Sequence, residues 1–178
     1  LFILGMRTAS LFNQKIKNGI QGRKNWRNLL DDIPKDANVI WFHCASLGEF
    51  DQGLPVMSAL KQKTPNAFIL VTFFSPSGID HYQKREHPVD KALYLPFDTK
   101  SNARLFLQKA NPSLAVFVKY EFWPNFISEC KKAKVKTVSI STLLRNKQIY
   151  FKWYGGFFTR VLRSIDFFFA QNQETKSL

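Results

Sequence analysis

Short apolar runs recur along the chain, separated by longer stretches in which apolar and polar positions alternate with helical spacing. The runs are Val39–Ala45, Ala67–Thr72, Ala92–Leu95, Leu114–Val118, Thr137–Ser141 and Phe167–Ala170. Most are apolar on both faces, the pattern of strands in a parallel sheet covered on each side by helices. Between them Glu49–Lys63, Ser77–Arg85, Lys100–Ala110, Asn125–Ala133 and Tyr150–Leu162 read as helices. Strand–helix alternation at this spacing gives βαβ units with right-handed crossovers. The pattern therefore predicts an α/β fold, a Rossmann-like parallel sheet with helices on both faces. Such sheets hold ligands outside the carboxyl ends of their strands, so chemistry is expected in the residues just after each run.

After the first run comes His43-Cys44-Ala45-Ser46-Leu47-Gly48-Glu49. Ser46 followed by Glu49 is a capping-box pattern at a helix start. Glu49 is then either a cap that receives the Ser46 N–H, or a carboxylate kept ionised by the helix N-terminus and able to act as a general base. Gly48 allows a substrate to approach the backbone closely. His43 and Cys44 fall inside the strand and read as core. After the second run, Ser75 reads as an N-cap with Pro76 at the first helical position. Ser75, Ser77 and Gly78 form either a plain cap or a phosphate cradle. Asp98 reads as the cap of the helix that follows it. In Lys119-Tyr120-Glu121-Phe122-Trp123-Pro124-Asn125, either Trp123 fills a pocket and Pro124 opens a helix, or Glu121 or Lys119 faces the cleft.

Composition narrows the class. The chain has 178 residues, 45% of them hydrophobic, with 18 Phe, 4 Trp and 5 Tyr, which excludes wholesale disorder. No apolar run approaches the ~20 residues that span a bilayer. Cys44 and Cys130 form no metal-binding or disulfide pattern, which fits a reducing compartment. Lys and Arg total 26 against 13 Asp and Glu, a net charge of +13. This charge is concentrated. Arg7, Lys15, Lys17, Arg23, Lys24 and Arg27 precede the first acid, Asp31. Nine more basic residues lie between Glu129 and Asp166, interleaved with Tyr150, Phe151, Trp153, Tyr154, Phe157 and Phe158. Such a stretch suits an anionic membrane surface, a nucleic acid, or a solvated basic face over a buried aromatic core. Residues 1–30 read as a basic, membrane-proximal arm. Leu1–Met6 is either the remnant of an anchor or the first turn of a buried helix. Residues 31–178 form the Rossmann-like domain.

Taken in order, these loops resemble those of 3-deoxy-D-manno-octulosonic acid (Kdo) transferases. His43 to Glu49 resembles the family's H-A-x-S-x-G-E segment. Thr72 to Gly78 is similar to T-x-T-x-x-G, Leu95-Pro96-Phe97-Asp98 to L-P-x-D, and Glu121 to Asn125 to E-x-E-L-W-P-N from its second Glu onward. Ser139 to Arg145 and the aromatic stretch after it resemble, more loosely, a segment with an Arg and a Tyr. The resemblance implies the amino-terminal, acceptor-binding half of a membrane-associated glycosyltransferase of GT-B architecture, with two Rossmann-like domains facing a cleft. It implies inverting transfer of Kdo from CMP-Kdo to the lipid A precursor, with no bound metal and no cofactor besides the donor substrate. The donor domain is absent from this chain, so the stretch by itself is expected to transfer no sugar. By resemblance Glu49 is the general base, and Glu121 or Lys119 stabilises the transition state. Ser46, Gly48, Ser75, Ser77, Gly78, Asn125 and Arg145 are expected to contact substrate, and Lys147, Lys152, Trp153 and Tyr154 the lipid surface. The family often carries a carboxylate where this chain has Lys119, which alternatively pairs with Glu49 and keeps it ionised. The implied location is the cytoplasmic face of the bacterial inner membrane, peripheral or with a single anchor. Another GT-B nucleotide-sugar transferase is the competing reading. A nucleic-acid-binding domain is a third, but it leaves the strand-end motifs without purpose, so no nucleic-acid partner is expected.

Overall fold

A computed structural model describes residues 13–177. Leu1–Met6 and Arg7 lie outside the described residues. Among the described residues six strands form one parallel sheet: β1 (Asn38–Cys44), β2 (Ala67–Phe73), β3 (Lys91–Tyr94), β4 (Pro112–Val118), β5 (Lys136–Thr142) and β6 (Phe167–Ala170). Their order is β3-β2-β1-β4-β5-β6, the Rossmann order, with its topological switch point between β1 and β4. β1 pairs in register with β2 from Asn38↔Ala67 to Cys44↔Phe73. With β4 it pairs up to His43↔Phe117, after an irregularity at Val39/Ile40. The strand ends of β1, β2 and β4 thus come side by side.

Side chains alternate across a strand, and β1 feeds two cores in this way. Val39 and Trp41 join Leu70, Phe106, Phe117 and Phe126 on one face. Ile40, Phe42 and Cys44 join Phe50, Met57, Ile69 and Phe73 on the other. Both faces are covered by helices, which explains why β1 reads as a continuous apolar run.

The helices are α1 (Gln14–Gly22), α2 (Trp26–Leu29), α3 (Leu47–Lys63), α4 (Pro76–Ile79), α5 (Lys100–Ala110), α6 (Pro124–Lys132), α7 (Gly156–Leu162) and α8 (Gln173–Lys176). Two expected helices are interrupted. Ser77–Arg85 divides into α4 and a single 3-10 turn at Tyr82–Lys84, because the chain bends to place Tyr82 against Phe50 and Phe73. Tyr150–Leu162 divides into a 3-10 turn at Ile149–Phe151 and α7. The break falls at Gly155-Gly156, poor helix formers, and a Cβ on Gly155 would lie 1.8 Å from the Ile149 carbonyl oxygen.

The expected basic arm contains packed structure from residue 13 on. The Asn13 side chain caps α1 by accepting the N–H groups of Lys15 and Ile16. Trp26 and Leu30 enter the core at 3% and 2% exposure. Arg23, read as part of the basic membrane-proximal arm, is buried.

Candidate functional site

β1 runs out at Cys44, and α3 begins three residues later. Glu49 sits in the first turn of α3, where its Oε2 accepts the Ser46 N–H at 3.1 Å. The capping reading therefore holds, and it does not displace the chemical one. Glu49 is only 7% exposed. Burial raises its pKa, while the N–H groups of Ser46 and Ala45 and the charge of Lys119 pull it back down. Gly48 has nothing within 4 Å of where a Cβ would stand, so packing does not require glycine there.

β4 ends in a turn that packing alone does not favour. Lys119 lies in the left-handed region, with φ of 64°, which costs a non-glycine residue roughly 1 kcal/mol or more. The turn is held by the Lys119 N–H donating to Ile140 O at 2.8 Å and by Ser139 Oγ donating to Lys119 O at 3.0 Å. It carries Glu121 back over the strand ends. The Glu121 pKa is pushed up to about 7, first by burial and then by the negative charge of Glu49. The nearby Trp123 indole and the charge of Lys119 act the other way. Glu49, Lys119 and Glu121 therefore form one electrostatic unit at the switch point. Of the roles considered for Lys119, holding a carboxylate toward its ionised form is the one with a visible physical basis, and it acts on both glutamates.

The neighbouring loops are tied to this unit. Ser75 and Phe74 donate their N–H groups to Ala45 O at 2.7 and 3.2 Å, binding the end of β2 to that of β1. Ser75 Oγ accepts the Ser77 N–H at 3.3 Å and lies 3.0 Å from Ser77 Oγ. Both hydroxyls stay at the surface of this end of the sheet. Gly78 plays a different part from the one expected: a Cβ there would lie 2.0 Å from the Phe73 ring, so its size serves packing. Asp98 also departs from expectation. Thr99 caps α5 by accepting the Asn102 N–H at 3.2 Å, and Asp98 caps α6 by accepting the N–H groups of Asn125 and Phe126 at 3.1 and 3.2 Å. The Asn125 amide donates to Asp98 O at 3.0 Å and Oδ2 at 3.2 Å. Asn125, expected to contact substrate, thus clamps the loops after β3 and β4 together.

Arg23 was missed as a builder of this end of the molecule. Its guanidinium donates to Leu95 O at 2.9 Å, to Gly19 O at 2.6 Å and to Phe74 O. It also lies over the rings of Phe74, Tyr94 and Phe97, 4.4 to 5.3 Å from their centroids. Burial lowers its pKa to about 10. Its acceptors sit beyond position 70 of the chain or one turn back in α1, and no local pattern announces them.

The loop after β5 carries the remaining expected residues. Arg145 and Lys147 are exposed and line a surface pocket of about 410 Å³ with Tyr120, Leu143 and Gln148. Lys152 is half-buried. Trp153, Tyr154 and Phe157 are exposed at 95%, 62% and 54%, so the picture of a buried aromatic core under this stretch fails for them. It holds for Tyr150 and Phe151, which pack on the core. Among the described residues, no helix is long and apolar enough to cross a membrane.

Comparison with known proteins agrees with this architecture. The family model for 3-deoxy-D-manno-octulosonic-acid transferase (kdotransferase) matches residues 19–178. The 3-deoxy-D-manno-octulosonic acid transferase of Aquifex aeolicus is 32% identical over 108 residues, which cover 58% of this chain and 30% of the relative. That of Chlamydia pneumoniae is 31% identical, with 61% of this chain and 25% of the relative covered. A bifunctional glycosyltransferase/methyltransferase of Fusobacterium nucleatum is 26% identical, over 80% of this chain and 22% of its own length. The chain thus spans under a third of the length of these relatives. Among solved structures, one from Listeria monocytogenes assigned as a UDP-N-acetylglucosamine 2-epimerase superposes with a TM-score of 0.58 at 12% identity. It covers 79% of this chain and 41% of that one, a likeness of fold.

Proposed function

The chain belongs to the 3-deoxy-D-manno-octulosonic-acid transferase family, and we propose that it is the acceptor-binding half of a two-domain GT-B enzyme that transfers Kdo from CMP-Kdo to the lipid A precursor. The observation that carries this reading is the coupled set Glu49, Lys119 and Glu121 at the β1–β4 switch point. In the transfer step an acceptor hydroxyl attacks the anomeric carbon and gives its proton to the Glu49 carboxylate. The new C–O bond forms on the face opposite the leaving group, and the bond to the CMP phosphate breaks. CMP departs with the electron pair, so the configuration inverts and no metal takes part.

Lys119 favours the ionised, proton-accepting form of Glu49. Glu121 titrates near 7, so near neutral pH a large fraction carries a proton that can be shared with developing negative charge. Ser46, Ser75 and Ser77 face the acceptor with polar groups, and Gly48 leaves room beside them. Arg145 and Lys147 offer cations to the acceptor's anionic groups. Lys147, Lys152, Trp153 and Tyr154 rest on the cytoplasmic face of the anionic inner membrane, with nucleic acid no partner. Transfer requires the donor half, so the 178-residue chain alone transfers no Kdo.

The test is Glu49→Gln in the full-length enzyme. Gln also serves in a capping box, so the fold is kept while the base is lost. The turnover should fall by ~10²–10⁴-fold with little change in melting temperature. Turnover near wild type, with or without a loss of stability, would leave Glu49 a cap and sink the assignment.

A further inference from the structure

His43 lies one residue before the end of β1 and is wholly buried. A buried imidazole is costly unless both ring nitrogens are satisfied. Here both are, by partners from the end of β2 and from the start of α6. The Trp123 indole N–H points at His43 Nε2, 2.7 Å away. Thr72 Oγ1 lies 3.0 Å from His43 Nδ1.

The direction of every bond in this chain follows from chemistry. An indole nitrogen only donates, so Nε2 is the acceptor and the ring proton sits on Nδ1, which donates to Thr72 Oγ1. The Trp41 indole also donates to Thr72 Oγ1, at 2.8 Å. Both lone pairs of that hydroxyl are then taken, and its own hydrogen faces Phe42 O at 3.4 Å. The imidazole is thus fixed in one neutral tautomer from behind and offers a single acceptor toward the cleft.

What it holds there matters. Trp123 stands two residues after Glu121, at the start of α6, and its ring packs at a tilt of 34° against Phe74, just past β2, with centroids 4.8 Å apart. We propose that His43 is a positioning residue: by accepting the Trp123 indole N–H, it fixes the loop that carries Glu121 over the β1–β4 switch point. This rests on the reading of Glu121 as part of the reacting set. Burial keeps the imidazole neutral, with its pKa lowered to about 3 and Arg23 acting in the same direction. A protonated ring would set a second N–H against the indole, so the anchor persists throughout the range in which Glu121 titrates.

Three variants test the proposal. His43→Leu removes the acceptor, His43→Gln offers an amide oxygen in its place, and Trp123→Phe keeps the packed ring but lacks the N–H. Two measurements need no activity: exchange protection of the Trp123 indole proton, and ¹³C titration of the Glu121 carboxyl. The groups facing that carboxyl are Glu49 from α3, Lys119 from the end of β4, and Trp123 and Tyr150; all are retained in both His43 variants.

In the wild type the indole is protected and Glu121 titrates near 7. Trp123→Phe lacks the N–H that His43 holds and moves the midpoint away from its wild-type value. His43→Leu exposes the indole and moves the midpoint away from its wild-type value. In the full-length enzyme it lowers kcat ~10–100-fold with KM little changed, the size of effect expected for a displaced reacting group. His43→Gln restores most of the midpoint and of kcat. An unchanged midpoint and kcat in His43→Leu would overturn the proposal. So would a folded His43→Gln as impaired as His43→Leu. If His43→Leu does not fold, His43→Phe, which fills the site with a ring but offers no acceptor, decides, and a midpoint and kcat left at their wild-type values overturn the idea. Failure of the base assignment shows separately, as intact turnover in Glu49→Gln.

Discussion

At the seam between β1 and β4 the chain is closed on itself; along β6 it is open. Six of the seven residues of β1 are buried, and its end is tied to β2 through Ala45 and Thr72 and to the loop after β4 through His43. All four residues of β6 are exposed, including Phe167, Phe168 and Phe169 at 58%, 40% and 62%. Trp153 and Tyr154 in the loop before α7, and Phe157 in its first turn, are also exposed. Hydrogen bonds with fixed donors and acceptors define one geometry, which suits groups that must meet a reacting atom. Exposed aromatics define no geometry and suit a surface that must be covered. The two regions differ in what a mutation should do, and that difference can be broken or sharpened.

The largest effect belongs to Glu49→Gln, which alters rate without altering the seam. Next comes a pair of glycines that resemblance places together as substrate contacts. Gly78→Ala forces a methyl group into the Phe73 ring, and overpacking of this kind costs about 1–3 kcal/mol or more. Gly48→Ala meets nothing and should change stability by no more than ~0.5 kcal/mol, while lowering kcat/KM because the methyl group enters the space assigned to substrate. Urea denaturation beside steady-state kinetics separates the two. Equal stability losses would mean that the seam does not distinguish packing glycine from cleft glycine.

Much of this was legible in the sequence, for physical reasons that differ by element. The strands were, because β1, β2 and β4 are buried on both faces and an apolar run has few other uses. The meeting of Glu49, Lys119 and Glu121 was, because the residues that follow parallel strands come together at one edge of the sheet. α1 was not: Gln14–Gly22 is largely polar and docks through Arg23, whose carbonyl acceptors on Phe74 and Leu95 lie 51 and 72 positions away. Asp98 was assigned to the nearer helix because capping patterns are local, whereas the residue that uses it, Asn125, is 27 positions on. His43 read correctly as core, but its role depends on an indole 80 positions later.

A smaller effect tests the charge at the seam. Lys119 lowers the pKa of both Glu49 and Glu121, so Lys119→Met should raise both. A base works when ionised, so the acid limb of the kcat/KM profile should move to higher pH. Stability gives an independent check. Glu121 titrates near 7 in the folded chain, above the ordinary 4.5, so its contribution is fully present below about 4.5 and is lost as pH rises through about 7. In Lys119→Met that loss should extend to higher pH. An acid limb left in place would remove Lys119 from the electrostatic unit.

The smallest effect on the fold, and the one that probes the open region, is Trp153→Ala. Trp153 is 95% exposed, so its removal should leave the melting temperature within error of wild type. Its consequence should appear only at a surface. Lys147, beside Arg145, attracts an anionic bilayer with about 1 kcal/mol per cation, and that attraction decays over ~8–10 Å near physiological salt. Tyr and Trp instead settle at headgroup depth, a contribution that salt does not screen. Co-sedimentation with anionic vesicles across a salt series should therefore separate two parts. Lys147→Glu with Lys152→Glu should reduce the salt-sensitive part, and Trp153→Ala should diminish what persists at high salt. Neutral vesicles should retain only the second part. Equally negligible binding to neutral and anionic vesicles at low salt would show that these residues only form a solvated face. The contrast between seam and edge would then be one between a reacting site and a solvated one.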